Sequence, residues 1–131
     1  MYSKTTESVI VTVVPQYEEG CSVPLNNLFV WSYRVHIRNT GAEDMQLISR
    51  RWIVVDSDGH IEDIRGEGVV GLQPVLKSGD EFEYSSSVRL NAPSGVMMGY
   101  YEMEVVGKDL DLGVEVPAFS LDCPNIKRVM N

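Results

Sequence analysis

From Leu28 to Asn39 the chain alternates cleanly: Phe29, Trp31, Tyr33, Val35 and Ile37 fall on one face, and Ser32, Arg34, His36 and Arg38 on the other. A two-residue period is that of an extended strand with one side made for a core and the other for water. A helix would scatter the same five apolar side chains around its circumference. A strand of this kind needs a second apolar layer to cover it, which directs the chain towards packed sheets.

Further short β-rich runs are separated by turn signals. Ser8–Val14 is rich in valine and closed by Pro15, and Met45–Asp56 places Ile48, Trp52 and Val54 on one expected face. Ser57-Asp58-Gly59-His60 reads as a hairpin turn, with Ile61–Arg65 returning from it. Leu72–Leu76 carries Pro74 and suits an edge. Glu81–Leu90, Met97–Val106 and Leu112–Val116 follow, the last extended irregularly through Pro117 and Phe119. No helical period is sustained over ten residues.

Seven or eight short antiparallel strands in one 131-residue chain predict an all-β, immunoglobulin-like sandwich, with Trp31 and Trp52 in its core. Cys21 and Cys123 lie outside every predicted strand. A disulfide across the sandwich is therefore not expected, and the fibronectin type III-like variant is the better description. The cysteines read as free thiols in a reducing cytoplasm. The domain is expected over residues 1–121, with residues 122–131 a polar tail that is disordered or forms a short helical turn.

Eleven Lys and Arg against nineteen Asp and Glu leave a net charge of −8. That argues against nonspecific nucleic-acid binding, which rests on neutralising phosphates. The apolar run Val9–Val14 is far short of the roughly 20 residues that span a bilayer. It also lacks the flanks of a signal peptide.

Gly66-Glu67-Gly68-Val69-Val70-Gly71 matches G-x-G-x-x-G letter for letter, but Pro74 and β-branched residues follow where a dinucleotide fold would begin a helix. Two readings stand: a turn whose glycines supply positive φ or close backbone approach, and a loop whose N–H groups cradle an anion. Arg34 and Arg38 share a strand face with His36. Arg50 and Arg51 lie on the next strand and Arg65 borders the loop, so a local positive patch able to take phosphate is expected if the two strands are hairpin neighbours. Cross-strand pairing with carboxylates is the competing outcome, with Glu102 and Glu104 as partners. Asp56-Ser57-Asp58-Gly59 has the wrong spacing for a calcium loop, and His36 and His60 stand apart with no cysteine near either. No nucleophile elbow is present. No catalytic residue, metal site or cofactor is expected.

The stretch from Trp52 to Phe119 resembles the ApaG (CorD-like) family. Its carriers are Trp52-Ile53-Val54-Val55-Asp56 with Gly59, then Gly66–Leu76 with Pro74, Gly79, Phe82-Glu83-Tyr84, Ala92–Met103 and Val116-Pro117-Ala118-Phe119. The resemblance implies a fibronectin type III-like sandwich in a small bacterial cytoplasmic protein. Similar domains in F-box proteins and a polymerase-interacting protein look like interaction modules. It also implies a gene-neighbourhood link to diadenosine tetraphosphate hydrolysis and an older link to magnesium and cobalt tolerance, with no established catalysis. Its glycine loop is likened to a pyrophosphate-binding motif, which Gly66, Gly68 and Gly71 match. The chain departs from the family pattern at Leu72, where an acidic residue is common, and at Ser87, where glycine is common.

The expectation is a non-enzymatic module that binds another protein, or a second copy of itself, through a strand edge or a sheet face. The alternative is a binder of phosphate-bearing small molecules through Gly66, Gly68 and Gly71 with Arg34, Arg38 and Arg65. Neither reading involves nucleic acid or membrane.

Overall fold

A computed structural model describes residues 1–124. Nine strands follow in order: β1 (Tyr2–Thr6), β2 (Val9–Tyr17), β3 (Phe29–Asn39), β4 (Met45–Asp56), β5 (Ile61–Glu67), β6 (Val75–Leu76), β7 (Glu81–Leu90), β8 (Ser94–Val105) and β9 (Asp111–Asp122). One sheet has the order β1-β2-β3-β7. The other runs β5-β4-β8-β9, with β6 pairing β4 beyond the end of β5. All pairings between strands are antiparallel. This is the all-β, immunoglobulin-like sandwich the alternation predicts. Among the described residues no helix is long and apolar enough to cross a membrane.

The odd residues of β3 face inward with Val9, Val11 and Val13 of β2. They meet Leu47, Trp52 and Val54 of β4, Met97, Tyr101 and Met103 of β8, and Val114, Phe119 and Leu121 of β9. Trp52 stands edge-on to Tyr33, Tyr101 and Phe119, with ring centroids 5.5, 6.2 and 6.2 Å away. Such aromatic contacts add about 0.5–1.5 kcal/mol per pair to the burial itself. Across the core, the Tyr84 and Tyr101 hydroxyls hydrogen-bond to each other and join the two sheets. Asn39 is the one buried polar residue among those described. Its amide donates to the carbonyls of Glu43 and Leu76 and accepts from the Gly41 N–H, so the crossing from β3 to β4 is tied at its start.

That crossing overturns one expectation. Residues 40–44 carry the chain from one sheet to the other, so β3 and β4 are not hairpin neighbours. Four further differences concern single strands. Strand β1 is short and mostly polar, with no apolar alternation to announce it, and it pairs with β2 from Tyr2↔Val13 to Thr6↔Val9. Strand β2 continues through Pro15, which lies beyond the part of β2 that β1 pairs, where a missing N–H leaves no ladder bond unmade. Strand β4 bulges between Leu47 and Ser49, which takes Ile48 off the inner face expected for it. Strand β9 runs to Asp122 and Cys123 is buried, so the folded body passes residue 121. The rest of the expected tail, residues 125–131, lies outside the described residues.

One open side of the sandwich is closed by β1 lying against β9. Lys4 pairs with Glu115, the Glu115 N–H donates to Thr6 Oγ1, and the Ser120 N–H donates to the Tyr2 hydroxyl. From the segment after β5, Val69 and Leu76 are fully buried in the common core.

Candidate functional site: the glycine hairpin and its arginine clamp

Each of the three glycines has a different reason to be glycine. A Cβ on Gly66 would stand 2.8 Å from the guanidinium of Arg50, which crosses the strand at that point. Gly68 has φ +61°, and a Cβ there would lie 2.1 Å from the Leu72 carbonyl oxygen. Gly71 has φ +79° with open space around it. The turn reading is therefore met at Gly68 and Gly71.

The segment is anchored from β4. Arg50 Nη1 donates to the carbonyls of Glu67 (3.1 Å) and Gly68 (2.8 Å). The carbonyl of the bulged Ile48 accepts the Gly68 N–H at 2.8 Å and the Gln73 side-chain amide at 2.9 Å. Beyond these anchors, Val69 and Leu72 exchange two backbone hydrogen bonds of 2.8 Å around a two-residue turn, Val70-Gly71. Both central residues have positive φ, 44° and 79°, the sign pattern of a type I′ hairpin. Asn-Gly is the usual occupant. A β-branched valine in this region carries about 1–3 kcal/mol of strain. Val69 points into the core, while Val70, Leu72 and Val75 are about half exposed.

This geometry leaves little for an anion. The N–H groups of Gly68, Val69 and Leu72 already donate within the protein. The expected cluster of arginines is divided between opposite sheets: Arg34 and Arg38 lie on β3, while Arg50, Arg51 and Arg65 lie on β4 and β5. Arg34 faces Glu83 at 3.7 Å, and Arg38 stands opposite Glu81, which also holds His36 at 3.1 Å. Arg51 grips Asp63 with two hydrogen bonds of 3.0 and 2.7 Å, and Arg65 approaches the same carboxylate at 3.6 Å. Asp63, and then Tyr100, hold the Arg51 guanidinium above its ordinary range, and Arg51 first and then Arg65 hold the Asp63 carboxyl below its own. The carboxylates that pair with the arginines are thus Glu83 and Asp63 rather than Glu102 and Glu104. Glu102 instead accepts from Ser49. An open cleft of about 330 Å³ remains beside the hairpin, lined by Ser49, Arg50, Arg51, Arg65, Tyr100 and Glu102 among others.

The Asp56 turn is structural in the same way. Asp56 Oδ1 accepts the N–H groups of Asp58 (2.9 Å) and His60 (3.0 Å), closing the turn expected there. The residues that sequence reasoning missed are Arg50 as a clamp rather than an anion ligand, and Val70 as a strained, exposed tip. The signal for Val70 was present as a Val-Gly pair in the place of Asn-Gly.

Comparison with known proteins places this architecture. The family model for the ApaG domain matches residues 19–105. Protein ApaG of Brucella abortus (strain S19) is 48% identical over 132 residues, covering 100% of both chains, and that of Parvibaculum lavamentivorans is 46% identical over the same span. The crystal structure of the putative ApaA protein from Bordetella pertussis is 38% identical, covers 88% of this chain and 94% of that one, and superposes with a TM-score of 0.85. The C-terminal domain of wzt, at 9% identity, 92% coverage of this chain and 76% of its own, shares the fold alone with a TM-score of 0.56. With the ApaG domain model matching residues 19–105 and relatives nearly half identical along the whole chain, the chain belongs to the ApaG family.

Proposed function

We propose that this protein is a non-enzymatic protein-interaction module whose contact point is the tip of the 69–72 hairpin. The observation that supports this most is Val70, a β-branched side chain kept at φ 44° and turned outward, where it adds nothing to the core. Backbone strain of this kind collects at functional positions. Leu72 and Val75 flank it with further exposed apolar surface. The anchors from Arg50 and Ile48 hold the tip in place before any partner arrives, which lowers the ordering cost of binding. The neighbouring polar groups are largely engaged with one another, which favours binding over catalysis. Free Cys21 and Cys123 suit a reducing, cytoplasmic setting. The pairing of β5 with β4 in the second sheet favours the fibronectin type III-like description.

A photo-crosslinking residue at Leu72 is expected to capture a discrete partner in the native cell, while one at exposed Lys108 captures none. Val70→Asn keeps a residue that tolerates positive φ but removes the apolar tip. It is expected to abolish capture without lowering the melting temperature. The competing phosphate-binding reading is tested in parallel with pyrophosphate, with and without magnesium. A specific ligand at 100 times its Kd stabilises by about 2.7 kcal/mol. Such a shift, with no adduct at Leu72, would overturn the proposal.

A further inference from the structure

Four of the five edge strands in the sandwich are covered or blunted, β6 by being only two residues long. β1 and β9 cover each other, and the Glu115 and Ser120 N–H groups of β9 are taken by Thr6 and Tyr2. β5 carries Glu62, Asp63, Arg65 and Glu67 within its span, a charge density that discourages strand addition. The remaining edge is β7. The Asn39 N–H donates to the Asp80 carbonyl at 3.0 Å, so antiparallel alternation turns the even residues of β7 towards β3. The backbone groups of Glu83, Ser85, Ser87 and Arg89 then point away from the sheet, and among the described residues none of them has a partner.

The sequence along this edge is chemically palindromic about Ser86. Ser85 mirrors Ser87, Tyr84 mirrors Val88, Glu83 mirrors Arg89 and Phe82 mirrors Leu90. We propose that β7 pairs antiparallel with β7 of a second copy around a two-fold axis at Ser86, making a homodimer with one continuous sheet across both chains. In this register odd residues oppose odd residues, so each facing pair exchanges both of its free N–H···O bonds. Glu83 of each chain faces Arg89 of the other on the exposed side of the sheet. Arg89 has no ion pair within its own chain among the described residues, and Glu83 has only the 3.7 Å approach of Arg34. Moving the axis one residue either way sets Glu83 against Ser87 or Asn91 and loses the charge match. The dimer uses a surface distinct from the hairpin tip, and Val70→Asn is expected to leave it unchanged.

Sedimentation of the full chain from ~1 µM to ~1 mM, the range in which small interfaces associate, is expected to show a rise from 14.7 kDa to twice that mass. Ser87→Pro removes an outward N–H that the fold does not use, so it should remain monomeric with unchanged circular dichroism and melting temperature. Arg89→Glu and Glu83→Arg should each weaken self-association about tenfold or more, because like charges then face each other across the axis. An equimolar mixture of the two variants should restore it, each chain supplying the charge the other lacks. A chain monomeric throughout the concentration range would overturn the proposal. So would a dimer indifferent to Ser87→Pro, or charge variants that fail to complement each other.

Discussion

Substituting alanine at Gly68 and at Gly71 separates two costs that are usually confounded. Both residues have positive φ, 61° and 79°, so both variants place an L side chain in the left-handed region at about 1–2 kcal/mol. Both also gain a similar, smaller offset from the stiffer unfolded chain. Only Gly68 adds a steric term: its Cβ would fall 2.1 Å from the Leu72 carbonyl oxygen and 2.9 Å from the carbonyl carbon. These are backbone atoms and cannot swing aside. Relief requires the hairpin to move, at the expense of the Val69 N–H bond to Leu72 and the Gly68 N–H bond to Ile48, each worth about 0.5–1.5 kcal/mol. It also disturbs the buried Val69. The expected losses are about 1–2 kcal/mol for Gly71→Ala and about 3–4 kcal/mol for Gly68→Ala, the latter a large part of the 5–15 kcal/mol typical of a domain. Urea titration reads both from the shift in midpoint, provided the slope is unchanged. Equal losses, or a loss below about 1 kcal/mol at Gly68, would show that the hairpin relaxes freely and that the contact with Leu72 carries no weight.

Two further perturbations probe the core. Trp52→Ala removes the ring at the meeting point of Tyr33, Tyr101 and Phe119, and should cost about 3–5 kcal/mol or leave the chain insoluble; a near-normal denaturation midpoint would contradict this. Burial pushes the phenols of Tyr33, Tyr84 and Tyr101 up, Tyr101 well above its ordinary value. Because the folded values exceed the unfolded one, this stability is complete below about pH 10 and is lost as the pH rises above it. In an alkaline absorbance titration these three phenols should ionise only together with unfolding. Reversible ionisation of all six tyrosines in the native protein would refute this.

What was legible in the sequence follows from the range over which each determinant acts. The inner face of β3 and the turn at Ser57–His60 are local, set by a two-residue period and by turn chemistry, and both stand as read. The need for glycine at 68 and 71 was legible for the same reason. The bulge at Ile48 was not, because its cause is the mismatch between β4 and β8, separated by some fifty residues of chain. Strand β1 carries too few apolar residues to show a period and owes its place to β2 and β9. The arginine cluster was misplaced by a single topological step. A five-residue connection such as 40–44 can close a hairpin or cross between sheets, and only the packed core decides which. The clamp by Arg50 was hidden for a related reason: a side chain beside Gly66 in space gives no sign in sequence of which carbonyls it will reach.

The seam between β1 and β9 has a consequence for how the protein is made. The bonds that close it join residues 109 and 118 positions apart, from Thr6 to Glu115 and from Tyr2 to Ser120. On the ribosome β1 emerges first and its counterpart nearly last, so β1 can pair with β2 early while its other flank stays wet until β9 is released. Closing contacts so distant in sequence is slow, because the loop entropy must be met before any contact repays it. During that interval the nascent chain exposes Val9, Val11 and Val13 of β2, which β9 helps to bury, a form open to chaperones and to aggregation alike. A ribosome stalled before Asp111 should therefore display an N-terminal segment open to protease, and release of the remaining strand should close it.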